Sequence, residues 1–449
     1  MRTKKNIKKI IKRSLKINKQ LKEKFGEVNT SEKIITDMIN TLPNEVWGNP
    51  NLKWFDPCAG SGNFFLVILD RLMNGLKFKI SNKKDRETHI LSNMLYMNEI
   101  NKDSIIKIKK NFGKKININN YHFLNYNFNK NKLKYDIIVG NPPYNLGGTK
   151  TSGKKNIYVF FAVISLQILK QNGYLLFIHP PGYRIDNHII KATNINLNKI
   201  YTSYDIHFIK MFNIRESNKY FNIAINVDYI LIKKSKNNNN KTIILDTYNK
   251  KNIIKINPND FIPNFGFKLL NKLKYLTNKY GNIKIYHSSE LHSCNVLSDG
   301  TKLKHNLGKF KNIHLIIQKG KRIYTSKKKH TYYNNKKIFI NALGVNYIYY
   351  DSKGEYGASE QQLLIIEPSN IYIDFFTSSL FQFISEATKI TGNNISRNDL
   401  YKFLPDFNKM KNLNNIKDIK KILNITNEED KFIEQFKINV FKDTDIYSR

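Results

Sequence analysis

Two short stretches carry residue types at spacings that could do chemistry. The first is Asp56-Pro57-Cys58-Ala59-Gly60-Ser61-Gly62-Asn63-Phe64. A strand-like run ends in an acid, and a glycine turn leads into a helix-like run. Glycines in such a turn let the backbone approach a ligand closely. The spacing is neither the GxGxxG of dinucleotide folds nor the GxxxxGK[ST] of phosphate loops. An acid before the turn would repel pyrophosphate. It suits a cationic or amine-bearing ligand, such as the methionine part of S-adenosylmethionine. The second stretch is Asn141-Pro142-Pro143-Tyr144, 85 residues after Asp56. Its prolines fix the backbone, so the Asn141 side chain and the Pro142 carbonyl are held rigidly. Two adjacent acceptors can grip an exocyclic amino group, and Tyr144 offers a flat surface for stacking a base.

These residues need a scaffold. LKWFD (52–56) reads as a buried strand, and NFFLVILDRLM after the glycine turn reads as a helix. SEKIITDMINTL (31–42) predicts a helix capped by Ser31. HILSNMLYMNEI (89–100) passes from helix to strand and ends in an acid. KYDIIVG (134–140) is a buried strand that delivers Asn141. IYVFFAVISLQIL (157–169) predicts a helix packed on a sheet, and GYLLFIHPP (173–181) a strand stopped by prolines. FNIAINVDYILI (221–232) reads as a strand or hairpin. Strands alternating with helices predict an α/β fold with a mainly parallel, Rossmann-like sheet. The organisation expected is a basic segment over 1–25, a catalytic domain over 26–235, a polar linker over 236–258, and a mixed α+β domain over 259–449.

Composition bounds the class. The chain has 449 residues, a net charge of +40 and 12% aromatics, so it can bury a core and attracts polyanions. The many Lys, Asn and Ile residues also fit an AT-rich coding sequence. Only Cys58 and Cys294 occur, which excludes a disulfide scaffold or a zinc finger. The longest apolar runs, such as Ile157 to Ile164, have eight residues or fewer. That is far below the ~18 of a membrane span. The expectation is a soluble, cytoplasmic protein.

The pair DPCAGSGNF and NPPY, with HILSNMLYMNEI, YDIIVGNPPYN, NGYLLFIHPPGYR and GNNISRNDLYKFLPD, resembles the gamma-ordered N6-adenine DNA methyltransferases of restriction-modification systems. The likeness spans about 26–406. It implies the methyltransferase fold with S-adenosylmethionine as cofactor and a C-terminal target recognition domain. It assigns Asp56, Gly60 and Gly62 to the cofactor loop, Thr30 to the segment closing over the methionine moiety, and Glu99 to the ribose hydroxyls. Asn141, Pro142 and Tyr144 become catalytic residues, and Phe221 stacks on the flipped base opposite Tyr144, with Tyr220 as a neighbouring choice. One position departs from the pattern. After the third strand, where an acid usually meets the adenine amino group of the cofactor, this chain has His122. A neutral imidazole can accept that bond; a protonated one cannot.

The chemistry implied is direct methyl transfer to the N6 amino group of an adenine flipped out of double-stranded DNA, without metal or covalent intermediate. In the C-terminal half, Lys319, Lys321, Arg322, Lys327, Lys328 and Lys329, with Tyr324 among them, form a basic cluster suited to phosphates, and Arg397 is a further DNA-binding candidate. No H-N-H or H-E-x-x-H pattern appears, so cleavage would fall to a separate cognate restriction endonuclease. Three readings stay open: the adenine enzyme, a cytosine-N4 enzyme, and a catalytically inactive DNA-binding relative. RNA or protein amide substrates also fit the tetrapeptide alone.

Overall fold

The computed structural model describes residues 30–127, 132–145, 156–190, 193–236, 240–291, 308–317, 320–342, 347–390, 397–437 and 439–441. The basic segment at 1–25 lies outside them. The chain forms two compact units, 1–262 and 263–449.

The first unit is built on one sheet. Its strands are β1 Trp54–Asp56, β2 Leu95–Asn98, β3 Asn117–Asn119, β4 Tyr135–Gly140, β5 Leu169–His179, β6 Tyr204–Phe212, β7 Val227–Lys236, β8 Lys241–Leu245 and β9 Lys251–Lys255. Their order is β3-β2-β1-β4-β5-β7-β6-β8-β9. From β3 across to β5 every pairing is parallel. β7 enters antiparallel between β5 and β6, β8 continues parallel to β6, and β9 returns antiparallel as the edge. This is the mainly parallel α/β sheet that the sequence predicts.

The order has a consequence for the site. After β1 the chain moves outward to β2 and β3, then returns to place β4 on the other side of β1. The loops leaving β1 and β4 therefore diverge, and ligands bind such sheets in that crevice at the carboxyl ends of the strands. Both chemistry-bearing stretches leave from these two strands.

Three helices form where the apolar spacing predicts them, at Glu32–Ile39, Asn63–Gly75 and Tyr158–Ile168. α1, Glu32–Ile39, is capped by Ser31, whose hydroxyl accepts the Ile34 N–H, and it buries Ile34, Ile35, Met38 and Ile39. α2, Asn63–Gly75, buries Phe64, Phe65, Leu66, Ile68, Leu69 and Leu72 in the same core. α3, Lys83–His89, lies within the polar stretch that lengthens the path from Asp56 to Glu99. α4, Lys102–Phe112, joins β2 to β3, and α5, Tyr158–Ile168, leads into β5. α6 is Leu197–Thr202 and α7 is Ile214–Phe221.

Two expectations change here. Residues 236–258 are not a linker, because they contain β8 and β9, which extend the sheet. Thr242 and Ile244 are buried there, so alternation hidden among lysines and asparagines still provides an inward face. The unit boundary falls at 262/263 instead of near 235. Phe221 does not open a strand; it ends α7, and β7 begins only at Val227.

The second unit is α+β. One sheet has the order β10-β16-β13-β14-β17, from Tyr286–His287, Gln362–Ile366, Lys337–Asn341, Tyr347–Asp351 and Asn439–Phe441. The other has the order β12-β11-β15, from Gly320–Ser326, Phe310–Ile317 and Gly357–Ala358. Helices α8 Phe267–Tyr280, α9 Asn370–Phe376, α10 Ser379–Thr388, α11 Arg397–Tyr401, α12 Ile416–Ile422 and α13 Asn427–Ile433 complete it.

Candidate active site

The acid that ends β1, Asp56, is 2% exposed. Its Oδ1 accepts the Cys58 N–H at 3.0 Å. Burial, with the nearby Glu99 carboxylate adding to it, pushes the Asp56 carboxyl up to about 7, against hydrogen bonds from Cys58 that pull it down. No cationic side chain pairs with Asp56 among the described residues. A buried carboxyl without a counter-charge is what a cationic ligand would complete.

The glycine turn is held by Glu99, the residue just after β2. Its Oε2 accepts the Gly60 N–H and its Oε1 the Asn101 N–H, each at 2.7 Å. Carboxylate oxygens have further lone pairs with which to accept ribose hydroxyls. Gly60 (φ 54°) and Gly62 (φ 80°) both lie in the left-handed region. At Gly62 a Cβ would also meet the Phe112 ring at 2.8 Å. The second glycine thus serves close packing on α4 as well as the turn.

The asparagine corner lies against this turn. A Cβ at Gly140 would stand 2.9 Å from Asp56 Oδ1 and 3.5 Å from Cys58 Sγ. The Asn141 N–H donates to the Cys58 sulfur, while burial and the two neighbouring carboxylates push that thiol's pKa up. Asn141 Nδ2 donates to Thr30 Oγ1 at 3.2 Å. Thr30, just before α1, is 3% exposed. The bond fixes the amide with its nitrogen toward Thr30 and its oxygen turned away. Thr30, Asp56, Glu99 and Asn141, from four separate parts of the chain, are thereby linked at one end of the sheet.

His122 follows β3 and caps the short turn Phe123–Asn125. It is half-buried, and its Nδ1 has no hydrogen-bond partner among the described residues. This is the end of the sheet that carries Glu99.

The aromatic pair is arranged differently from the expectation. Tyr144 is 7% exposed and belongs to the core cluster. Burial, with Cys58 and Asp228 nearby, pushes its phenol well up. Its hydroxyl has no partner among the described residues. Phe221 is 3% exposed, edge-on to Phe212 at 5.5 Å. Neither ring presents an open face here. Tyr220 is the more accessible neighbour, with Lys33 Nζ 5.8 Å from its ring centre.

Beneath this end lies a buried polar network that sequence reasoning missed. The Arg184 guanidinium pairs with Asp228 at 3.0 Å, and the Tyr183 hydroxyl donates to the same carboxylate at 2.9 Å. His179 lies between the Pro180 carbonyl and the Tyr201 hydroxyl, and burial holds it neutral, with its pKa near 4. The proline-rich strand exit is a packed support, as its sequence suggests. Sequence reasoning also misses the roles of Asn98 and Gly140. The glycine directly before Asn141 was the available signal.

The basic cluster of the second unit divides. Lys321 is fully buried, with Nζ 3.6 Å from the Tyr349 ring centre, so it cannot reach a phosphate from this position. Successive strand residues face opposite sides, and in β12 Lys321 faces the core while Arg322 faces out. Lys327, Lys328 and Lys329 are exposed, and Tyr324 stacks on His314. Lys319 and the Arg397 side chain lie outside the described residues. Among those described, no His, Cys, Asp and Glu cluster could hold a metal, and no helix is long and apolar enough to cross a membrane.

Comparison with known proteins bears out the resemblance. Residues 2–221 match the Eco57I restriction-modification methylase family. A Mycoplasma pneumoniae protein described as an uncharacterized adenine-specific methylase is 25% identical over 42% of this chain. The match spans 62% of that relative's length. Among solved structures, the Type IIL restriction-modification enzyme MmeI in complex with DNA has a TM-score of 0.50 at 12% identity, covering 91% of this chain and 71% of its own. That coverage extends well beyond residue 262, so the likeness in fold includes residues of the second unit. A modification subunit of a putative type I restriction enzyme from Vibrio vulnificus YJ016 has a TM-score of 0.41 at 14% identity, covering 54% and 52%.

Proposed function

We propose that this chain, a restriction-modification methylase by sequence over residues 2–221, transfers a methyl group to the N6 amino group of adenine in double-stranded DNA. The observation that carries the reading is the contact between the two motifs: Gly140 and Asn141 abut Asp56 and Cys58. A methyl donor beside the glycine turn and an amine at the asparagine corner would then be neighbours.

The residues fit S-adenosylmethionine. Asp56 offers its unmatched carboxylate to the cationic end, Glu99 accepts ribose hydroxyls, and His122 Nδ1 accepts from the adenine amino group. Bound there, S-adenosylmethionine supplies a methyl group activated on a sulfonium. The Asn141 oxygen and the Pro142 carbonyl accept the two amine hydrogens. They orient the amine nitrogen and raise its electron density. The chemistry the cofactor would supply is a transfer in which an N–C bond replaces an S–C bond, with a neutral thioether as leaving group. The amine proton passes to solvent. Orientation and fixed dipoles are the main contributions.

An adenine inside a duplex must be flipped out to reach Asn141. In the structure Tyr144 is covered, so stacking on that base requires the ring to be released. Phe221 stacks only after a comparable rearrangement around Phe212. The second unit reads the target sequence, with Arg322 and Lys327 to Lys329 available to phosphates and Lys319 and Arg397 as further contacts. A separate restriction endonuclease would act as partner.

The test is incubation with labelled S-adenosylmethionine and duplex DNA, followed by digestion to nucleosides. Label in N6-methyladenine is expected. Label in N4-methylcytosine, or DNA binding without any label, would contradict the reading.

A further inference from the structure

Asn98 ends β2, immediately before Glu99, and is 2% exposed. Its Nδ2 donates to the Pro57 carbonyl and to the Tyr121 carbonyl, each at 3.1 Å. Its Oδ1 accepts the Tyr121 N–H at 3.4 Å, and its own carbonyl accepts the Ala59 N–H at 3.0 Å. One buried amide therefore joins the turn after β1 to the loop after β3. The residue next to Tyr121 is His122.

β-Sheet pairing does not require this arrangement. The ladders already hold β1 to β2 and β2 to β3. An apolar side chain would fill the space, but it would leave the Pro57 and Tyr121 carbonyls unsatisfied. The amide instead fixes two loops beyond the ends of their strands. These loops carry the groups assigned above to the two ends of the cofactor: Asp56 and the glycine turn on one side, His122 on the other.

Building on the cofactor reading above, we propose that Asn98 is a positioning residue that sets the His122 loop against the glycine turn and so fixes the span of the cofactor site. His122 Nδ1, buried and without a partner among the described residues, is the atom it places. Asn117 provides an internal control. It lies on β3 and donates to the Ser92 and Leu95 carbonyls at 2.8 and 3.1 Å. It makes the same kind of side-chain-to-carbonyl bridge from a half-buried position, to the segment leading into β2 and to that strand's first residue.

The experiment is calorimetric binding of S-adenosylmethionine to the full chain, with melting temperatures measured in parallel. Asn98→Ala should weaken binding about tenfold or more, the effect of losing two or three hydrogen bonds. Asn117→Ala should lower the melting temperature while keeping affinity within about threefold. Asn98→Ala and His122→Ala should be non-additive, the double variant binding more tightly than the product of the single effects predicts. If Asn98→Ala does not fold, Asn98→Leu, which fills the space without a donor or a charge, carries the same expectation. Wild-type affinity in a folded Asn98 variant, equal losses in the Asn98 and Asn117 variants, or strictly multiplicative effects with His122 would overturn the proposal. A wild-type chain that binds no S-adenosylmethionine would overturn the cofactor reading itself, and this inference with it.

Discussion

Gly140 shows how little freedom single residues have at this site. A methyl group there would press on the Asp56 carboxylate at 2.9 Å while meeting Cys58 Sγ at ordinary contact distance. Gly140→Ala should cost about 1–3 kcal/mol of stability. It should also weaken S-adenosylmethionine binding, measurable by calorimetry on the folded variant. Asp56 makes a prediction about pH. Its carboxyl is raised to about 7, so the folded state keeps the proton longer than the unfolded chain does. Its contribution to stability is complete below the ordinary carboxylate range near pH 4 and disappears as pH rises through about 7. A cationic ligand reverses that preference and should expel the proton. Binding near pH 6 should release protons and tighten as pH rises; binding near pH 8.5 should release none from this group. Titrations in buffers of different ionisation enthalpy read this directly, and equal proton release at both pH values would contradict the role given to Asp56.

Elements decide what can be read from sequence. α1, α2, β1, β4 and β5 are legible because each has a caps-and-periodicity signature: Ser31 before a 3.6-residue stripe, a glycine turn before NFFLVILDRLM, and apolar runs ended by Asp56, by Asn141 and by prolines. β8 and β9 are not legible, because KTIIL and KNIIK lie in a Lys- and Asn-rich stretch whose composition resembles a linker. α7 was hidden in a similar way, since FNI after Tyr220 continues the apolar text of the next strand. Lys321 sits in a run of basic residues that resembles a surface patch, and only the alternation of its strand turns it inward. Of the site, Asp56, Glu99 and Asn141 were legible as motifs, whereas Asn98 and the Arg184–Asp228 pair depend on contacts between distant segments. Gly62 belongs to this scale too. Gly62→Ala places a β-carbon at positive φ against the Phe112 ring. It should destabilise the α2 start by about 1–3 kcal/mol, read as a lower denaturation midpoint, and a neutral effect would contradict the packing described.

Across the whole molecule, charge and division into two units set the remaining expectations. With a net charge of +40, the proposed DNA binding should be strongly salt-dependent. The logarithm of affinity should fall linearly with the logarithm of salt, with a slope of about −0.9 per phosphate contacted. Replacing exposed Lys327, Lys328 and Lys329 together should reduce that slope, whereas replacing buried Lys321 should lower stability and leave the slope unchanged. The opposite pattern would contradict their placement. The boundary at 262/263 predicts that a fragment of residues 1–262 binds S-adenosylmethionine but does not methylate site-specifically.

The central claim is that the Asn141 corner holds an adenine amine against a methyl donor beside the glycine turn. Single-turnover methylation of duplex DNA by wild type and by Asn141→Ala, with DNA and cofactor affinities measured alongside, tests it most directly. The account predicts a rate loss of about 10²–10³, the scale of losing one preorganised electrostatic contact to the reacting group, with both affinities largely retained. An unchanged rate in the variant would contradict it.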